Sequence, residues 1–199
     1  MARVTGKQDQ PGDLFPIPCG PSLPVNSVAE VLAAAKAKPG KINYASVGVG
    51  SPFQMAGALF QSVGQVELAE IPYQGGGPAV AALLGGQIDA LASGPSAAIG
   101  QIKAGKMRAL AVWGDKRLAS MPDVPSMKEL GYDATFYIWS GLFAPAATPA
   151  PILMTLRDAA RRTAADPEFK EAMAKVETPI AYLDAPEFKT FLDKDAARL

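Results

Sequence analysis

The sequence predicts an α/β fold built on parallel strands, and three observations predict it. Four short strand-like segments between residues 41 and 113 alternate with helix-like segments, the order that right-handed crossovers between parallel strands require. Each strand gives way to a helix through a turn rich in Gly, Ser and Pro. The last segment, Met107–Trp113, is nearly unbroken apolar after Arg108, as a strand covered on both faces should be. The chain has 199 residues, 49% of them hydrophobic and 19% charged, which is enough for about one domain and a fraction of another. Nineteen glycines and eighteen prolines demand frequent turns.

Residues 1–18 are polar, Pro-rich and without period, and read as an irregular or disordered segment. The α/β lobe covers 19–135. Its first helix starts at Ser27, with Glu30 three residues on as a capping box. Val28, Val31, Leu32 and Ala35 recur at helical spacing until Pro39-Gly40. KINYAS (41–46) is the first strand, and Ser51 with Pro52 opens the second helix, which runs to Gly64. VELAEIPY (66–73) is the second strand, followed by a helix through Val80 and Leu84. Residues 87–92 form the third strand, and Gly94-Pro95-Ser96 opens a helix that ends near Gly105. After Trp113 come a charged turn (Asp115-Lys116-Arg117), a stiff Pro loop and a short helical piece through Leu130. Residues 136–199 add a strand at Tyr137–Ala144, an amphipathic helix at 149–165 and a strand at Pro179–Leu183. Two helices beginning Asp166-Pro167 and Ala185-Pro186 complete this part, each with Pro and Glu in its first turn. So small a unit is thin for a core of its own.

Composition excludes several functions. Nineteen basic and nineteen acidic residues cancel, whereas a nucleic-acid binder carries a basic excess. No histidine is present, so a Ser-His-Asp triad, a Cys-His pair and a histidine metal site are ruled out. Cys19 is the one cysteine and can form neither an intrachain disulfide nor a zinc or iron–sulfur cluster; the expectation is of no metal and no cofactor. The opening twenty residues contain no apolar run, so no export signal is visible. The uncharged stretches 42–66 and 134–156 are interrupted by Gly or Pro and read as buried segments, not membrane spans.

Ligands of open parallel sheets bind at the carboxyl ends of the strands. Three turns fall there: Ser46 to Ser51, Tyr73 to Gly77, and Ser93 to Ser96. None contains a charged residue, and each leads into a helix N-terminus, where backbone N–H groups and the dipole attract an anion. A small carboxylate held by neutral donors fits that chemistry, although each turn taken singly is also an ordinary tight βα connection. Gly48, Gly50 and the later Glu70 imitate a dinucleotide fingerprint, with Phe53 in its third glycine position, and a dinucleotide-dependent enzyme using Gly48 and Gly50 stands as the alternative reading. Catalytic groups are scarce: Asp89 reads as a turn or hydrogen-bonding residue, and Glu67 and Glu70 face opposite sides of one strand. Tyr137 and Trp139 share a strand face, as core or as cleft lining.

The runs KINYASVGVGSPFQMAGALF, IPYQGGGPAVAALLGGQID, GKMRALAVWGDKR, MPDVPSMKELGY and WSGLFAPAATP, in this order, resemble the substrate-binding proteins of tripartite tricarboxylate transporters, the Bug-type receptors. The resemblance covers about residues 20–199 and implies a periplasmic-binding-protein-like (Venus flytrap) fold, with one complete parallel α/β lobe plus the C-terminal part of the other. It implies a non-enzymatic receptor that captures di- or tricarboxylates in the periplasm and delivers them to membrane permease subunits. By resemblance Ser46, Gly48, Gly50 and Ser51 match the family's first carboxylate loop, and Tyr73 and Gly75 its Pro-Tyr-Lys-Gly turn. Gln74 replaces the usual Lys there, Gln54 stands where many members have His, and Ser93 stands where a polar or acidic residue is common. The family's leading strands and their Gly-rich loop have no counterpart in residues 1–18. Two further expectations follow: an incomplete product without tight binding, or a homodimer through the incomplete lobe.

Overall fold

A computed structural model of the chain describes residues 2–5, 18–19, 22–114, 116–118, 120–175, 178 and 180–198. Its contacts divide it into two units, Pro11–Tyr137 and Met1–Gln10 with Ile138–Leu199. The division falls two residues beyond the expected one at 135/136. Residues 1–18, expected to be irregular, contain strand β1 (Ala2–Thr5) and the first residue of β2 (Pro18–Cys19); the other residues of that segment lie outside the described ones. Strands this short have no period to read, and pairing with distant partners creates them.

The larger unit continues with α1 (Val28–Ala37), β3 (Asn43–Ser46), α2 (Pro52–Gly64), β4 (Ala69–Pro72), α3 (Gly76–Leu84), β5 (Ala90–Leu91), α4 (Pro95–Lys103) and β6 (Arg108–Ala109). The sheet order is β4-β3-β5-β2-β6. β3 pairs in parallel with β4 (Ser46 opposite Pro72) and with β5 (Ala45 opposite Leu91). β2 lies antiparallel between β5 and β6, so β6 keeps the direction of β5 without touching it. The apolar run after β6 leaves the sheet: Val112 bridges Ser126, donating its N–H to the Pro125 carbonyl at 2.9 Å. It is buried beneath that loop rather than paired in the sheet.

The helices cover both faces. Ala45 and Leu91 pack with α3 and α4 residues including Ala79, Val80, Leu83 and Ala98. Tyr44, on the opposite face, lies under α2 so closely that a Cβ on Gly57 would fall 2.2 Å from its ring. Gly64 likewise admits Leu32 of α1. The helix starts follow the local signals. Ser27 Oγ accepts from the Glu30 N–H at 3.2 Å, while Glu30 Oε2 takes the N–H of Asn26, one residue before the position that a capping box uses. Ser51 Oγ accepts from the Gln54 N–H at 3.2 Å, with Pro52 in the first turn. The expected helical piece through Leu130 is a series of turns in which Ser126 and Glu129 bond each other reciprocally.

In the smaller unit β1 pairs antiparallel with β7 (Gly141–Ala144), and α5 (Ala150–Ala165) and α7 (Ala185–Arg198) pack against β1. α6 (Pro167–Lys175) lies between them in sequence, its N–H at Phe169 capped by Asp166. The strand expected over Tyr137–Ala144 is paired only from Gly141. Of the one expected at Pro179–Leu183, Pro179 lies outside the described residues and Ala181 makes a single bridge. Trp139, half-buried, meets Phe188 edge-on at 5.5 Å and donates its indole N–H to Asp195, so it packs within this unit. α5 buries none of its residues, and Ile152, Met154, Leu156 and Leu142 are exposed. Among the described residues no helix is long and apolar enough to cross a membrane.

Candidate functional site

Parallel pairing places the ends of β3, β4 and β5 on one edge of the sheet, so the three Gly/Ser turns leave from the same rim. Direct contacts tie them together. The Tyr73 N–H donates to the Ser46 carbonyl at 2.8 Å, joining the first two turns. A Cβ built on Gly76 would lie 3.4 Å from the Cβ of Ala97, which sets the start of α3 against the start of α4. Gly48, Gly50 and Gly75 all have positive φ, at 105°, 74° and 116°, so no other residue type fits these bends without strain.

The first turn is already engaged. Gly48 N–H donates to Ser46 Oγ at 3.2 Å, and Gly50 N–H donates to Gln54 Oε1 at 2.7 Å. Ser46 Oγ donates to Glu70 Oε1 at 2.6 Å, and Gln54 Nε2 donates to Glu70 Oε2 at 3.1 Å. Burial pushes the Glu70 carboxyl upward, but hydrogen bonds from Ser46, Gln54 and Tyr44 outweigh it, and the group titrates below its ordinary range. Burial, then the Glu70 charge and the bond to it, push the Tyr44 phenol up to about 12. Glu70 is therefore an internal anion gripped by neutral donors. With its carboxylate so engaged, it is not presented to a ribose, which removes the acidic partner from the dinucleotide pattern. Ser51 uses its oxygen as the cap of α2 and keeps its hydroxyl hydrogen.

The third turn differs. Ser93 is fully buried, and its Oγ has no hydrogen-bond partner among the described residues. Neither Gly94, before α4, nor Gly75, before α3, supplies a side-chain cap. Sequence reasoning picked out all three turns by their composition but missed Glu70, Gln54 and Tyr44 as a linked group. The register of β3 and β4 sets Tyr44 opposite Glu70.

Other candidates are structural. Asp89 accepts from the Asn43 N–H at 3.0 Å and the Ser22 hydroxyl at 3.1 Å. Arg117 pairs with Glu129 at 3.1 Å, and Asp115 lies outside the described residues. A hollow of about 550 Å³ lies at the start of β6, on the opposite edge of the sheet from the turns, lined by Val25, Ile102, Lys106 and Arg108 among others. The first turn reaches the surface instead, where Val49 is 96% exposed. Among the described residues no three metal-ligating side chains cluster.

Sheet, flanking helices and a rim of neutral donors define an α/β module. The sequence pattern described as "Tripartite tricarboxylate transporter family receptor" matches residues 15–199, and the chain belongs to that family, one of receptors and not of enzymes. A protein of Cupriavidus necator, "UPF0065 protein in gbd 5'region", is 33% identical over 168 residues, 84% of this chain and 51% of its own length. The chain thus spans about half the length of such relatives. A Rhodopseudomonas palustris structure, MatC with bound malate, superposes with a TM-score of 0.74 at 26% identity, over 82% of this chain and 56% of that one. An R. palustris protein solved with adipate superposes with a TM-score of 0.82 over 99% of this chain and 64% of that one; at 22% identity it shows the shared fold. These neighbours carry the periplasmic-binding-protein-like architecture expected from the sequence.

Proposed function

We propose that the chain is the solute-binding component of a tripartite tricarboxylate-type transporter and captures a small organic acid, a di- or tricarboxylate, for permease subunits in the membrane. It works in the periplasm in this reading. The ligand-binding residues are drawn from Ser46, Gly48, Gly50, Ser51, Tyr73, Gly75 and Ser93. The observation that carries the proposal is the common rim: three charge-free turns, each opening a helix, leave neighbouring parallel strands at one level. Helix dipoles and hydroxyl donors favour an anion there. Malate in a related structure supports the chemical class.

Titration calorimetry of the chain with malate, succinate and adipate, against their uncharged diamides, tests the proposal. Saturable binding of at least one diacid, and of no diamide, is the expected result. Equal binding of acids and diamides, or no binding of any acid, overturns it.

A further inference from the structure

We propose that the hollow at the start of β6 is a second ligand site, for a singly charged organic acid with an apolar body, in the class of medium-chain and aromatic monocarboxylates. It lies on the opposite edge of the sheet from the Gly/Ser turns and does not depend on the function proposed for them.

Its volume of about 550 Å³ falls within the roughly 300–1,000 Å³ of small-molecule pockets, which combine apolar walls with a few placed polar groups. Leu23 and Val25, ahead of α1, Ile102 of α4, Met107 and Val124 form apolar walls, and Val25 and Met107 are buried. Among the described residues that line the hollow, Lys106 and Arg108 alone are charged, and both are cations.

Local structure holds both cations in place. Arg108 Nη1 donates to the Val25 carbonyl at 2.7 Å, which ties the guanidinium to the wall, and its remaining N–H groups can still meet an acceptor. Gly105, at φ 70°, ends α4, and the Lys106 N–H donates to the Gln101 carbonyl at 2.9 Å, which fixes where the Lys106 side chain begins. The last turn of α4 has its own cation in Lys103. Neither Lys106 nor Arg108 has a carboxylate partner among the described residues, whereas Arg117 and Arg157 hold Glu129 and Asp184. Both are exposed, so a ligand's acidic head stays near solvent beside them while its body enters the hollow. The apolar walls gain from burying that body, and a small polyanion would leave them in water. An uncharged amphiphile would leave the two cations unanswered.

The test is titration calorimetry of the full chain with octanoate, octan-1-ol and malate, for wild type, Lys106→Glu and Val124→Trp. Octanoate should bind saturably, and octan-1-ol about ten-fold more weakly. Lys106→Glu should weaken octanoate about ten-fold while leaving octan-1-ol within about two-fold and malate unchanged. Val124→Trp fills the hollow and should abolish binding of both eight-carbon probes; should it fail to fold, Lys106→Glu, a change at an exposed residue, decides alone. No saturable octanoate binding, or displacement of octanoate by malate, overturns the proposal. So does octanoate binding untouched by Lys106→Glu, the result expected of adhesion to the exposed Ile152 and Leu156 of the smaller unit. Octanoate binding without malate binding upholds this site and counts against the function proposed above.

Discussion

Ser46 ends β3 and Ser93 lies two residues past β5, its parallel neighbour in the sheet, and both are fully buried, yet their hydroxyls differ completely in what surrounds them. Ser46 donates to Glu70 and accepts from Gly48; Ser93 has no partner. Ser46 shares the Tyr44 side of β3, which lies under α2, whereas Ser93 follows Leu91, which packs among α3 and α4 residues. Two turns of similar composition have thus become a closed polar knot and a buried hydroxyl that no described group answers. Helix N-termini attract anions, and whether the anion is the protein's own depends on which side chains the packing brings in.

The largest change should come from Gly57→Ala. The new methyl would meet the Tyr44 ring at 2.2 Å and its hydroxyl at 2.7 Å. Stability should fall by about 3 kcal/mol in denaturant unfolding as Tyr44 is driven from Glu70. An unchanged unfolding midpoint would show that the knot is loose. Next is Ser46→Ala, which leaves Gly48 N–H unpaired and strips a donor from Glu70. A loss of about 2 kcal/mol is expected, opposite in sign to the effect of Ser93→Ala. Equal signs for the two substitutions would erase the contrast. Ser51→Ala removes the cap of α2 and should cost about 1 kcal/mol, with a correspondingly lower Tm.

The smallest effect concerns pH. The Tyr44 phenol, pushed up to about 12 in the folded chain, ionises in the unfolded chain from its ordinary value of 10.0. Its contribution is therefore complete below pH 10 and lost as pH rises from there toward 12. Thermal melts through that range should decline less steeply for Tyr44→Phe than for wild type. In the smaller unit the hydrogen bonds from Arg157, then the Ala185 N–H, outweigh partial burial and hold Asp184 at about 2. That contribution is present above 3.8 and is lost as pH falls toward 2, so acid should loosen this unit by a separate route.

Much of the larger unit was legible. Ser27 and Ser51 announced their helices because a cap acts over three residues, and a three-residue signal survives without its tertiary context. The parallel course of β3, β4 and β5 followed from helix-length connections. Pro18–Cys19 was not legible as a strand: two residues carry no alternation, and their partners at Ala90, Arg108 and Ala109 lie some seventy to ninety residues away. β1 was missed for the same reason, since its pairing with Gly141–Ala144 spans most of the chain.

The candidate site divides in the same way. Neutral, glycine-bent turns at helix starts were determined by the sequence alone, because backbone conformation and capping depend on near neighbours. Which turn has its donors answered from within was decided only in three dimensions. Glu70 reaches Ser46 and Gln54 through strand register and the seating of α2, and Ser93 is buried without a partner among the described residues. Residue types set the supply of donors and acceptors; long-range contacts alone decide which of them meet, since pairing depends on separations in space that sequence spacing does not carry.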